Sequence, residues 1–266
     1  MNNKEYLRPS TRPFYQTVGN EEEVFKLAHK EKLPVLLKGP TGCGKSRFVD
    51  AMAYDLKLPL VTVACNEDTS ATDLLGRFLI KGSDTVWQDG PLTRAVRSGA
   101  ILYLDEVVEA REDVMVLIHS LTDYRRTLYI DALGESLTAP ENFLLVISYN
   151  PGYQRSFKEL KASTRQRFVA LGFHYPKPEI ETQIVQSETG ATAALCGKLV
   201  SLGNKIRSLT ELGLTESVST RLLVNAALLT KGGLDQRLAA DVAIAQALTD
   251  EVEATRALRD LSALYL

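Results

Sequence analysis

Neither sign of charge dominates this chain: 31 lysines and arginines stand against 33 aspartates and glutamates, a formal net charge of −2. That balance speaks against the basic face needed to bind nucleic acid or an anionic membrane. No apolar run approaches the ~20 residues of a membrane-spanning helix. The start, Met1-Asn2-Asn3-Lys4-Glu5, is polar and lacks the apolar core of a signal peptide. Cysteines are few: Cys43, Cys65 and Cys196 have neither CxxC nor metal-ligand spacing. Reduced thiols and cytoplasmic residence are the expectation. The three histidines, His29, His119 and His174, are scattered singly and are expected in structural roles. Internal repeats and low-complexity stretches are absent too.

Against that background one string stands out. Gly39-Pro40-Thr41-Gly42-Cys43-Gly44-Lys45-Ser46 matches the phosphate-binding loop G-x-x-x-x-G-K-[ST] at every fixed position. An apolar run, Val35-Leu36-Leu37, leads into it, and a helix-compatible stretch from Lys45 to Leu56 leads out. Glycines allow successive backbone N–H groups to turn inward around a phosphate, and a following helix N-terminus adds its positive dipole. Lys45 suits the β- and γ-phosphates of ATP, and the Ser46 hydroxyl suits Mg²⁺. Cys43 occupies a variable position and is expected to be a spectator.

A second element is Ile101-Leu102-Tyr103-Leu104-Asp105-Glu106, an apolar strand ending in two acids. Asp105 is the candidate to hold Mg²⁺ through water, and Glu106 the candidate general base for an attacking water. A third strand, Leu144-Leu145-Val146-Ile147-Ser148-Tyr149, runs into Asn150-Pro151 and places Asn150 where it can sense a γ-phosphate.

Short aliphatic runs at Val35–Lys38, Leu60–Ala64, Ala100–Leu104, Phe143–Ser148 and Phe168–Phe173 alternate with helical patterns. Their continuous apolar character predicts an α/β fold with a parallel sheet buried on both faces. After Pro176-Lys177-Pro178 only helices are predicted: Glu179–Glu188, Ala191–Leu209, Ser219–Thr230, Gln236–Thr249 and one more toward Leu264. Residues 1–175 therefore read as a nucleotide-binding core and 176–266 as a small helical domain. Asp68 and Asp73 are expected to cap and open the helix that follows them. Trp87 is expected to anchor the hairpin that precedes Gly90-Pro91.

These motifs together resemble the AAA+ ATPases, from about Tyr15 onward. The resemblance implies a P-loop core with five parallel strands in the order 5-1-4-3-2, followed by a helical lid. It places Asn150 as the first sensor. In Ser163-Thr164-Arg165-Gln166-Arg167-Phe168, Arg165 and Arg167 are the candidates for an arginine finger, with Arg167 favoured. It places Arg221, in Val218-Ser219-Thr220-Arg221, as the second sensor. An arginine acting in trans implies a homo-hexameric ring.

Two insertions narrow the resemblance to the MoxR group. One spans Thr69–Arg77 and Trp87-Gln88-Asp89-Gly90-Pro91-Leu92; the other, Arg125–Thr138, reads as a hairpin ahead of the third strand. Four strings are similar to the CbbQ/NorQ/NirQ subgroup: Leu36–Phe48, Ala64-Cys65-Asn66-Glu67-Asp68, Tyr103–Arg111 and Ser148-Tyr149-Asn150-Pro151-Gly152-Tyr153-Gln154. His119-Ser120 and Leu137-Thr138-Ala139-Pro140 depart from it, where His-Pro and a histidine before the proline are usual. Within the subgroup the leaning is to CbbQ. That implies an ATP-driven rubisco activase working with a CbbO-like von Willebrand A domain partner, in the cytoplasm or attached to a carboxysome. The alternative is a NorQ/NirQ-like ATPase that matures nitric oxide reductase. From the balanced charge and the lack of a long apolar run, neither a nucleic-acid nor a membrane partner is expected.

Overall fold

The computed structural model describes residues 11–151, 160–209, 214 and 216–266. The chain divides into two compact units. The first comprises Gly19–Lys38 and Lys45–Gly172 with the segment up to Pro13; the second comprises Phe14–Val18, Gly39–Gly44 and Phe173–Leu266.

The first unit opens with helix α1 (Glu21–Lys30), strand β1 (Val35–Lys38), helix α2 (Lys45–Leu56) and strand β2 (Leu60–Ala64). Next come helix α3 (Ala71–Leu75) and the hairpin β3 (Gly76–Lys81) and β4 (Asp84–Asp89). Helix α4 (Pro91–Ser98), strand β5 (Ile101–Asp105) and helix α5 (Glu112–His119) follow. A second hairpin, β6 (Thr127–Ile130) and β7 (Glu135–Thr138), precedes β8 (Leu144–Tyr149), helix α6 (Ala162–Arg165) and β9 (Val169–Gly172).

Five strands make one sheet in the order β2-β5-β8-β1-β9, and every pairing is parallel. Counting only these strands, the order is 5-1-4-3-2, as the AAA+ resemblance implies. The three central strands carry the core. β1 buries Val35, Leu36 and Leu37, β5 buries Ile101 to Leu104, and β8 buries Leu144 to Ser148. Each such side chain contributes roughly 1.5–3 kcal/mol through burial. Continuous burial on both pleat faces requires helices on both faces, which is why these strands read as unbroken apolar runs. On α2, Phe48, Val49, Met52 and Ala53 recur at helical spacing and are buried. Phe48 meets Phe25 of α1 edge-to-face at 5.3 Å. The observed strands start and stop within a residue or two of the expected ones.

Local chemistry sets the helix ends. Pro91 sits at the first turn of α4, whose missing N–H costs nothing there, and Gly99 closes the helix in the left-handed conformation. At α3 the expectation that Asp68 and Asp73 cap the helix is half right. Ser70 is the N-cap and Asp73 completes a reciprocal capping box, while the Asp68 backbone N–H turns to Asn66 Oδ1. Trp87 does pack its own hairpin: it lies edge-to-face on Phe78 at 5.1 Å and donates from Nε1 to Asp89 Oδ1 at 2.7 Å. The hairpins share an anchor in Arg97 of α4, which reaches Asp89 at 3.0 Å and Glu135 in a bidentate pair.

The second unit is built on helices α7 (Pro178–Thr189), α8 (Ala193–Ser208), α9 (Thr220–Lys231), α10 (Gln236–Ala240), α11 (Gln246–Leu248) and α12 (Val252–Tyr265). Thr192, Ser219 and Asp235 cap α8, α9 and α10 with their side chains. The single helix expected over Gln236–Thr249 is interrupted. Asp241–Ala245 forms a π-helical turn between α10 and α11. Its extra residue per turn keeps Ala239 and Ala240 buried together with Ala243 to Ala245, while Asp241 pairs with Arg259 at 2.6 Å. Among the described residues no helix is long and apolar enough to cross a membrane.

Candidate functional site

The sheet explains the position of the chemistry. Lys45 and Ser46 open α2, while β5 and β8 lie side by side with Leu104 opposite Ile147. One residue further on, these neighbouring strands deliver Asp105 and Ser148. The Ser46 hydroxyl donates to Asp105 Oδ2 at 3.2 Å. Asp105 Oδ1 accepts the Tyr103 hydroxyl at 2.6 Å and the Ser148 hydroxyl at 2.5 Å. Ser148 Oγ in turn accepts the backbone N–H of Glu106 at 3.1 Å. Lys45 is buried, and Glu106 stands exposed at the end of β5.

Glu106 has φ 53° and ψ 46°. Left-handed backbone costs a residue with a Cβ roughly 1–2 kcal/mol, so the surroundings must hold it there. The hydrogen bond from its N–H to Ser148 is one such restraint. Burial, with the Asp105 charge adding to it, pushes the Tyr103 phenol far above its ordinary range, so it stays a proton donor. Burial likewise pushes the Cys65 thiol up to about 12, helped by the charges of Asp105 and Glu106. That cysteine is inert rather than reactive.

The donor set near Ser46 is a hydroxyl and a carboxylate, both hard oxygen donors. Two protein oxygens with room for water and phosphate suit Mg²⁺, which keeps several waters and seldom takes an all-protein cage. Among the described residues no group of three or more His, Cys, Asp or Glu could hold a metal ion alone. Asn150 follows β8 directly and is half-buried. Arg165 and Arg167 are both exposed, at and just after the end of α6. The turn that carries them is anchored by His119 Nε2, 2.9 Å from the hydroxyl of buried Thr164.

The loop Gly39–Gly44 packs with the second unit. Gly42 and Gly44 have φ of +67° and +99°, which only glycine adopts readily. A Cβ on Gly42 would meet the Cβ of Ser219 at 2.6 Å, so this turn needs glycine for space as well as for backbone. Thr41 donates from Oγ1 to Glu216 at 3.2 Å, and its carbonyl accepts the Tyr175 hydroxyl at 3.0 Å. Arg221 lies exposed in the first turn of α9, one residue after Thr220 opens the helix. Pro40 and Cys43 are half-buried loop residues. Of the quoted strings, Met1-Asn2-Asn3-Lys4-Glu5 and Gly152-Tyr153-Gln154 lie outside the described residues.

Tyr103 and Ser148 are the site residues that motif reading passed over. A hydroxyl at the second residue before the strand-end acid, and another two residues before Asn150, were the available signals.

The family models agree with this geometry. Residues 34–168 match the AAA domain of the dynein-related subfamily, and residues 181–265 match the CbbQ/NirQ/NorQ C-terminal domain. The denitrification regulatory protein NirQ of Pseudomonas aeruginosa is 55% identical over 260 residues, covering 98% of this chain and 100% of the relative. Protein NorQ of Paracoccus denitrificans is 57% identical over 251 residues, covering 94% and 93%. Protein CbbQ of Hydrogenophilus thermoluteolus is 53% identical over 247 residues, covering 93% and 92%. Among solved structures, a putative ATPase from Cytophaga hutchinsonii shares the fold, with a TM-score of 0.52 at 18% identity over 94% of this chain and 90% of that one. A phosphate loop, a parallel sheet in this order, strand-end acids beside Ser46 and both family models lead to one assignment: the chain belongs to the CbbQ/NirQ/NorQ family of AAA ATPases.

Proposed function

We propose that this ATPase is a ring-forming remodelling motor in which a homo-hexamer acts through a von Willebrand A domain partner on a client enzyme. Its ATP-hydrolysing part rests on the assembly around Asp105, where Ser46, Tyr103, Ser148 and the Glu106 backbone converge within 3.2 Å steps, and the ring and partner follow from the family likeness. Lys45 and the loop N–H groups of Gly39 to Gly44 bind the phosphates. Ser46 and Asp105 would hold Mg²⁺, which when bound with nucleotide would supply positive charge to offset that of the phosphates. Glu106 takes the proton of the attacking water, and Asn150 orients that water or reads the γ-phosphate. The exposed Arg167, in preference to Arg165, reaches a neighbouring subunit's nucleotide, and Arg221 of the second unit reports on nucleotide in its own subunit.

The two hairpins are the elements that engage the partner. They leave Phe78, Ile80, Val86 and Tyr129 exposed, and Arg97 ties them together. Two clients fit this motor. Rubisco follows from the CbbQ resemblance: hydrolysis would loosen its active site and release an inhibitory sugar phosphate. Nitric oxide reductase follows from the likeness to NorQ and NirQ, which stand about as close as CbbQ, at 57% and 55% identity against 53%.

A pull-down with Glu106→Gln tests the reading. This variant is expected to bind ATP and stall with its partners attached. Recovery of a von Willebrand A protein with rubisco establishes the activase reading, and recovery with reductase subunits establishes the second. Recovery of neither partner nor client under ATP and Mg²⁺ would refute the remodelling proposal.

A further inference from the structure

The hydroxyl pair beneath the strand-end acids has no place in the motif set. Tyr103 is 1% exposed and Ser148 is fully buried, both on the central strands of the sheet. A buried hydroxyl costs free energy unless it is partnered, and an apolar side chain of the same shape would serve the core better. Their partners are therefore informative. Both hydroxyls converge on the same oxygen, Asp105 Oδ1, at 2.6 and 2.5 Å. The other oxygen, Oδ2, accepts only Ser46 among the hydrogen bonds described above. Ser148 Oγ also takes the Glu106 N–H, so one hydroxyl ties the carboxylate of Asp105 to the backbone of the next residue.

The proton count works. Tyr103 and Ser148 each spend their single proton on Oδ1, and Ser148 uses a lone pair for the Glu106 N–H. The Tyr103 hydroxyl also lies 3.1 Å from Ser148 Oγ and 3.4 Å from Ser46 Oγ, contacts secondary to its shorter bond with Oδ1. The carboxylate plane is thus fixed with one oxygen buried and one turned to Ser46. The peptide after it is fixed in the left-handed conformation from which the exposed Glu106 side chain departs.

We propose that Ser148 and Tyr103 are positioning residues for hydrolysis: Ser148 holds the Glu106 backbone in place, and both hydroxyls anchor one oxygen of Asp105 so that the other meets Ser46 and the cation. This rests on the hydrolytic roles of Asp105 and Glu106 proposed above. It divides the labour between the two hydroxyls. Loss of Ser148 misplaces the base, whereas loss of Tyr103 leaves the Glu106 N–H bonded to Ser148 and acts on the Asp105 carboxylate and its neighbour Ser46. A one-ångström error at a catalytic group costs up to about 100-fold in rate, and losing an outer hydrogen-bond partner of a ligating carboxylate costs roughly 10–100-fold in metal affinity.

The test uses the full chain as Ser148→Ala, Tyr103→Phe, Ser148→Thr and Glu106→Gln. Steady-state ATPase and fluorescent mant-ADP binding are followed, the latter with and without Mg²⁺. For Ser148→Ala, kcat is expected to fall at least about tenfold at saturating Mg²⁺. Its Mg²⁺-free mant-ADP affinity should stay within about twofold of wild type, well under a full factor of ten. Ser148→Thr, which keeps the hydroxyl, should recover most of that rate. Tyr103→Phe should keep kcat within about threefold at saturating Mg²⁺ while needing about tenfold more Mg²⁺ to tighten mant-ADP. The proposal is overturned if Ser148→Ala retains wild-type kcat while Glu106→Gln loses it. It is equally overturned if Ser148→Ala loses Mg²⁺-free nucleotide binding in step with kcat, which a merely structural serine would do. Wild-type hydrolysis by Glu106→Gln would instead strike the underlying hydrolytic reading, so the two failures are told apart.

Discussion

Arg207→Ala is expected to cost the second unit about 3–5 kcal/mol, because it strands a charge with no water to receive it. Glu181 is fully buried, and its carboxylate accepts both terminal nitrogens of Arg207 at 2.6 and 2.7 Å. Thr220 donates to the same carboxylate at 2.6 Å and is its remaining described partner. The guanidinium also donates from Nε to the Val218 carbonyl at 2.8 Å and stacks 4.0 Å over the Tyr175 ring. Alanine removes all of these contacts while Glu181 stays inside. At roughly 2–4 °C per kcal/mol for a chain of this size, Tm should fall by about 6–20 °C. Differential scanning calorimetry with far-UV circular dichroism reads the change. The paired replacement Glu181→Leu with Arg207→Met should bring most of it back, since an apolar pair avoids the desolvation cost. A loss below about 1 kcal/mol for Arg207→Ala would mean that the pair behaves as an exposed one, and the reasoning would fail. Because Tyr175 stacks on Arg207 and donates to the Thr41 carbonyl, the same variant should also weaken nucleotide binding.

Two further outcomes are expected. Gly42→Ala should abolish nucleotide binding without unfolding the chain, because its φ is +67° and the new methyl would meet Ser219; calorimetric titration with ADP reads it, and wild-type affinity would contradict it. Burial, with Arg167 and Lys161 adding to it, holds the His119 imidazole below its usual pKa, so protonation favours the unfolded chain. The stability lead of wild type over His119→Gln should therefore be full above about pH 6.5 and shrink as pH falls below it, in urea titrations between pH 7.5 and 5.5. A lead that is flat or grows toward acid would refute this.

How far the sequence was legible depends on how local each feature is. The phosphate loop is eight consecutive residues whose types are dictated by backbone geometry, so Gly42 and Gly44 could be read directly and their φ angles agree. The buried strands announced themselves through unbroken apolar runs, and their parallel order came from the AAA+ resemblance rather than from periodicity. Asp105 and Glu106 were legible as acids at a strand end. Tyr103 and Ser148 were not, because they looked like ordinary members of apolar strands and their meeting point is 45 residues apart in the chain. The Glu181–Arg207 pair was hidden for the same reason: nothing in either helix marks the other as its partner. Ser70 was a missed local signal, since Ser70-x-x-Asp73 is the capping-box spacing itself. The π-turn at Asp241–Ala245 has no single residue that announces it; it emerges from which alanines pack inward.

The central claim is that Glu106, held at the end of β5 beside Asp105, is the base of an ATP-hydrolysing site. The measurement that bears on it most directly compares ATP binding and ATP hydrolysis in wild type and Glu106→Gln under the same Mg²⁺ conditions. The account predicts that binding stays within about threefold while hydrolysis falls by ~10²–10⁴-fold, the contribution of a positioned general base. Hydrolysis by Glu106→Gln at the wild-type rate would contradict it.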